Sequence, residues 1–354
     1  NEGFQQYDAA ALIPGVAENS TVTVKNLGID NAYVNYKNGS AAFVGYALTN
    51  ATVKINNSFA GEKVTLIGND AGVFRAVARS NKDCVLENCY SLATTTGVAT
   101  YGLIGFNWEV SKNNFTFKNC YNANGPLNFG GAPGYNCTAE NSYSTADNVN
   151  EGGGNWLNIG SNLITADKMQ GLDVFTDAGK MPNLNSADAY EATETYPILK
   201  AFKAPAGNTP GGNAPAYEIW DGQVATSIQG QGIEAAPYLI SNGAELAYAI
   251  TNGAADEYYK LTNNIYLNDL SKINWSTGEV TSGYTVNEWI KGVSFAANLD
   301  GDGYTVYGVY NNAVKFRVTS IIKENERKKD LMDKIIDSEL GDKSVEDIDM
   351  EDVE

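Results

Sequence analysis

The phrase Glu87-Asn88-Cys89-Tyr90 decides how this chain is read. It returns as Lys118-Asn119-Cys120-Tyr121 and, degenerately, as Asn56-Asn57-Ser58-Phe59 and Glu140-Asn141-Ser142-Tyr143. Lys25-Asn26-Leu27 is an earlier relative. Asn26, Asn57, Asn88 and Asn119 stand 31 residues apart, and Asn141 follows after 22. The residues before each asparagine alternate: Val22-x-Val24, Val53-x-Ile55, Cys84-x-Leu86, Phe115-x-Phe117 and Cys137-x-Ala139. Period two with one apolar side is a strand with one buried face. Asparagine tolerates left-handed backbone, so it ends each strand in a turn. Asparagines at one corner of successive repeats can bond to one another, and we expect Asn26, Asn57, Asn88, Asn119 and Asn141 to form a ladder.

A second column keeps the same period. Ala11-Leu12-Ile13, Ala42-Phe43-Val44-Gly45, Gly72-Val73-Phe74 and Gly102-Leu103-Ile104-Gly105 are short apolar strands. Each repeat therefore carries at least two strands and no helical pattern. A single repeat cannot bury its own apolar face, so it must stack on the next. The expected fold is all-β, a solenoid of coils of about 30 residues with strands in parallel.

Gly102-Leu103-Ile104-Gly105 followed by Asn119-Cys120-Tyr121 resembles the GLUG-motif repeats of bacterial cell-surface proteins. The resemblance covers residues 8–200. It departs from the motif at Ala42, where glycine is expected, and at Arg75. It implies a right-handed parallel β-helix, an extracellular or wall-attached location, and adhesive or glycan-contacting work. It implies no catalytic residues.

Composition narrows the chemistry. The 354 residues are 43% hydrophobic and 19% charged, enough for a folded core. A net charge of −18 disfavours nucleic acid and anionic membranes as partners. There is no histidine, which excludes imidazole acid–base catalysis and His-ligated zinc. No run of 18 apolar residues is present, so no membrane insertion by an apolar helix is expected. The start, Asn1-Glu2-Gly3-Phe4, lacks the features of a signal peptide, and we read the chain as a fragment or as one whose leader was removed.

Four regions are expected. Residues 1–202 are the repeats plus a C-terminal cap from 144 that covers the last apolar layer. Within the cap, Thr165 is a candidate N-cap of a short helix. Residues 203–215 are a Pro/Gly linker. Residues 216–313 are a second β-rich module, read as the N-terminal part of another β-helix. There Asn242 and Glu245 have capping-box spacing, with Leu246, Ala249 and Ile250 facing inward. Asn298–Val306 reads as strand, turn, strand. Residues 314–354 are a charged helix and acidic tail that does not fit the repeat, read as a docking segment for a protein partner, a foreign fusion or a degraded repeat.

The site reading rests on aromatic rings, whose faces stack on sugars. Tyr90, Tyr121 and Tyr143 repeat beside the ladder, Trp108 sits where an outward loop is expected and Trp220 at the opening of the second module, so these five are the candidate ligand-binding residues. The alternative is that the tyrosines stack on each other for stability. Asp70, Arg75, Arg79, Asp83 and Glu87 lie within one coil and would suit a polysaccharide-acting lyase or glycosidase, or simply a solvated charged face. Cys89 and Cys120 share a column one coil apart, which allows a disulfide or, more simply, a stack of buried thiols. Asp300-Gly301-Asp302-Gly303 lacks the further ligands of a calcium loop and reads as a turn. We therefore expect no metal, no cofactor and no catalytic residues. The expected function is non-catalytic adhesion through a polysaccharide or cell-surface glycan. The alternatives are a glycan-acting enzyme and a structural spacer.

Overall fold

The computed structural model describes residues 9–78, 83–96, 102–105, 114–127, 136–146, 162–202 and 217–313. Trp108, Arg79, the linker 203–215 and the tail 314–354 lie outside the described residues.

The fold is mostly strand, and its strands pair in parallel. Thr21–Asp30, Thr52–Ala60, Asp83–Ser91, Asn114–Lys118 and Asn136–Glu140 lie side by side in one sheet, each displaced from the last by one repeat. Val22 opposes Val53, Val53 opposes Cys84, Cys84 opposes Phe115 and Phe115 opposes Cys137. The second column forms its own sheet, in which Ile13 opposes Val44 and Val44 opposes Arg75. A third sheet stacks Ala32–Asn35, Val64–Ile67 and Thr94–Thr96. Every repeat thus supplies one strand to several parallel sheets around a shared interior. Val24, Ile55, Leu86 and Phe117 are fully buried there.

The asparagine ladder is present. Asn26, Asn57, Asn88, Asn119 and Asn141 all have φ between 48° and 53°. Asn141 Nδ2 donates to Asn119 Oδ1 (3.2 Å), Asn119 to Asn88 (3.0 Å), Asn88 to Asn57 (2.9 Å) and Asn57 to Asn26 (3.2 Å). The chain of amides ends on a carboxylate, since Asn26 Nδ2 donates to Asp300 Oδ1 at 3.0 Å. All the amide dipoles point one way, so each bond polarises the next. A second asparagine step, Asn50 Nδ2 to Asn19 Oδ1 (3.1 Å), occupies another corner and was not read from the sequence.

The described residues of 216–313, read as a second module, add their strands to this same sheet. The sheet runs from Tyr238–Ile240 through Tyr258–Leu261 and Asn298–Tyr307 to Thr21–Asp30 and onward. Leu299 opposes Val24 and Val306 opposes Ile29. Trp289 Nε1 donates to the Leu12 carbonyl (2.8 Å), and Phe295 exchanges backbone bonds with Gly15 and Ala17. The later segment therefore begins the stack that the earlier segment continues. The helix Gly243–Asn252 closes its outer end, burying Leu246, Ala247, Ala249 and Ile250. Asn242 caps it by accepting from Glu245 N–H (3.0 Å), while the Glu245 carboxylate takes the N–H and hydroxyl of Ser241.

Three expectations are corrected here. Of the cap expected over 144–202, Asn162–Leu163 adds a last parallel strand beside Tyr143–Ser144, while residues 166–202 run along the side, over the tyrosine file. The expected short helix is present as the 3-10 turn Ala166–Met169 with Thr165 at its N-cap, but the side-chain capping bond is not made. Asp300–Gly303 is not a turn between two strands but a bulge within the single strand Asn298–Tyr307, with Asp302 at φ 50° and the register shifting opposite Asn26.

Candidate functional site

The tyrosine row is the first candidate, and its surroundings follow from the strand pattern. The residue after each ladder asparagine points inward and the next points outward, which puts Phe59, Tyr90, Tyr121 and Tyr143 in one file. The rings of Phe59, Tyr90 and Tyr121 stack nearly parallel, with centroids 5.2 and 5.0 Å apart. Residues 166–202 lie over them. Met169, Val174, Met181, Leu184, Tyr190 and Leu199 share one apolar cluster with Tyr90, Tyr121 and Tyr143. The descent of this strap can be followed bond by bond. Asn183 N–H reaches Tyr143 Oη, Ser186 joins Asn119 and Asn141, and Tyr190 Oη donates to the Asn119 carbonyl. Tyr121 Oη then donates to the Pro197 carbonyl, and Phe202 meets Phe59 edge-on. Tyr90, Tyr121 and Tyr143 are buried, so these rings are packing residues rather than a surface for a ligand. Burial holds the Tyr121 and Tyr190 hydroxyls well above their ordinary pKa.

Trp220, the other described aromatic candidate, is also interior. It packs edge-on against Trp289, and its Nε1 donates to the Gln223 carbonyl. Of the carboxylate–arginine group, four residues are described. Arg75 is fully buried with its guanidinium over the Phe115 ring, not part of a solvated face. Asp70 is buried, Asp83 accepts from Asn114, and Glu87 pairs with Lys118 at 3.7 Å. The four cysteines are free and buried. Desolvation raises the Cys84 thiol to about 11 and Cys89 well above its ordinary value, so neither is a ready thiolate. Among the described residues no group of three or more Cys, Asp or Glu is placed to hold a metal ion.

A further candidate among the described residues is a groove of about 390 Å³ on the outer face of the main sheet. Its floor is three neighbouring strands, each contributing two outward side chains at period two: Tyr258 and Lys260, Asn298 and Asp300, Thr23 and Lys25. Its wall is the loop carrying Glu234, Ala235 and Pro237. Two glycines shape that wall. Gly230 (φ +123°) and Gly232 (φ +71°) occupy left-handed backbone, and a Cβ on Gly230 would meet the Pro237 carbonyl at 2.2 Å. Lys25 pairs with Asp300 at 3.3 Å and Lys260 with Asp302 at 3.1 Å. The groove thus offers hydroxyl, amide, ammonium and carboxylate groups beside one tyrosine ring. That mixture suits a polar ligand held by several hydrogen bonds.

None of the groove residues was expected from the sequence to bind a ligand; Asp300 alone was weighed, as part of a calcium loop, and read as a turn. Their alternation is legible, but nothing local says that the strand at 298–307 lies beside the strand at 21–30. Comparison with family models, with curated proteins and with solved structures returns no match.

Proposed function

We propose that this chain is a right-handed parallel β-helix of the GLUG-motif kind. We infer that it works without catalysis at an extracellular or wall-attached site, in adhesion through carbohydrate. The observation that carries the reading is the groove over Tyr258, Asn298, Thr23 and their charged neighbours. A ring face beside paired donors and acceptors matches the alternating apolar and hydroxyl faces of a sugar chain. Lysines and carboxylates neutralise one another there, so an uncharged polysaccharide is the favoured ligand class. The buried tyrosine row shifts the expected contact from Tyr90, Tyr121 and Tyr143 to this groove, with Trp108 kept as a further candidate.

The test is a polysaccharide array probed with the intact chain, alongside Tyr258→Ala, Glu234→Ala and Trp108→Ala. Binding of a neutral glycan that falls about tenfold or more in Tyr258→Ala supports the groove. Loss only in Trp108→Ala moves the site. A wild-type chain that binds no glycan removes the adhesion reading and favours a structural spacer, to which the unbroken asparagine ladder is suited. Turnover of any bound glycan would instead favour the enzyme.

A further inference from the structure

One outward row of the main sheet carries a charge pattern with an unusual symmetry. The row lies just before the asparagine ladder. In stacking order it is Lys260, Asp300, Lys25, Asn56, Glu87, Lys118 and Glu140, each opposite the next in register. The signs run plus, minus, plus, neutral, minus, plus, minus. Read backwards, every charge is replaced by its opposite and the neutral Asn56 keeps its place. Alternation alone has a simple cause, because like charges on adjacent strands repel. A strictly alternating row of seven, however, would match its own reverse sign for sign. The neutral centre followed by Glu87 makes the second half the sign-inverse of the first. The groups are accessible: the side chains of Lys25, Lys118, Glu87 and Lys260 are 46%, 43%, 40% and 37% exposed.

We propose that this face docks on the same face of a second copy of the chain, about a two-fold axis that runs along the strands at the level of Asn56. Such an axis reverses the stacking order and leaves each row opposite itself, the self-complementary condition of an isologous dimer. Lys25 then meets Glu87 of the other copy, Asp300 meets Lys118, and Lys260 meets Glu140. The row is about 29 Å tall at roughly 4.8 Å per strand, and a strand of five residues is about 16 Å wide. The footprint is therefore roughly 450 Å² per copy, which places the pair among weak associations. In the adjoining row Lys54 meets its own copy at the axis, a like-charge contact that keeps the pair weak. The dimer covers Lys25, Asp300 and Lys260, so it competes with a groove ligand; it does not depend on there being one.

The experiment is sedimentation equilibrium on the full chain, with far-UV circular dichroism to show that each variant is folded. The wild type should dimerise at about 150 mM NaCl, where the general repulsion between two chains of net charge −18 is largely screened and the facing charge pairs remain. Lys25→Glu and Glu87→Lys should each dimerise about tenfold or more weakly alone, because each sets two like-charge pairs across the axis. Mixed in equal amounts they should recover wild-type affinity, since the heterodimer restores both pairs. Lys54→Thr should tighten the dimer about two- to threefold. A wild type that is monomeric at about 150 mM NaCl overturns the proposal. So does a dimer indifferent to the substitutions, or a mixture that associates no better than its components. Sedimentation is read without any glycan present, so failure of the dimer and failure of the groove are told apart.

Discussion

A single asparagine does two jobs at once in this chain. At φ near 50° it takes backbone that costs other L-residues roughly 1–2 kcal/mol, and its amide bridges two repeats. Asn88 donates to Asn57 and accepts from Asn119. Asn88→Ala should therefore lose about 2–4 kcal/mol, from strained backbone plus two orphaned amide partners. Asn88→Gly, which keeps the backbone, should lose about half as much; urea denaturation separates the two. Equal losses would mean that the left-handed backbone contributes nothing beyond the ladder bonds, and an Asn88→Gly chain as stable as wild type would mean that the ladder bonds contribute nothing. The buried tyrosines set an alkaline limit. Burial raises the pKa of Tyr90, Tyr121 and Tyr190 above 10.0 in the folded chain. A raised folded pKa means stability that is whole below the unfolded value and lost as pH climbs past it. Stability should be level in tyrosine terms below pH about 10 and fall steeply above it, and Tyr90→Phe should shift the unfolding midpoint to higher pH. Absorbance at about 295 nm should show these rings ionising only as the chain unfolds.

At the scale of elements, the strap 166–202 is held by a few identifiable bonds over an aromatic file. Tyr190 sends its hydroxyl to the Asn119 carbonyl at 2.8 Å and its ring against Tyr90 and Tyr121. Tyr190→Phe should cost about 1–3 kcal/mol, because a buried carbonyl loses its donor. Amide exchange should then quicken in 166–202 before it quickens in the strands beneath. The helix Gly243–Asn252 depends on its cap in the usual way, and Asn242→Ala should lower stability by about 1 kcal/mol. Strands, ladder and helix cap were legible because each is written in local periodicity or in spacing of a few residues. The strap was not. Its short elements bury side chains against residues some 40–76 positions away, as in Tyr143 to Asn183 and Tyr121 to Pro197. That also explains the tyrosines: their outward direction was readable, but what covers them was not.

At the scale of the molecule, the later segment supplies the beginning of the stack and the earlier segment its continuation. The strap accounts for the route, since it carries the chain from the level of Tyr143 back to that of Phe59. The joint is covalently remote but well bonded, with Asn26 to Asp300, Trp289 to Leu12 and six residue pairs in register. Residues 9–312 should then unfold together. Three tryptophans, Trp220, Trp275 and Trp289, lie in the later segment, so near-UV ellipticity weighted by them should melt at the same midpoint as the far-UV strand signal. Two separated transitions would show that the segments are independent. Trp289→Phe removes the bond to Leu12 and should lower the common midpoint, not split it.

The sequence alone determined the repeat, the inward and outward side of each strand, the ladder and its left-handed turns, because these depend on spacing within one chain segment and on the conformational freedom of particular residues. Tertiary structure decided which repeat is first, that Asp300 ends the ladder, that the tyrosines are covered and that a groove opens over Tyr258 and Lys25. Those depend on contacts between residues as far apart as 26 and 300, where any strand of suitable pattern could have served as neighbour and only the packed whole selects one.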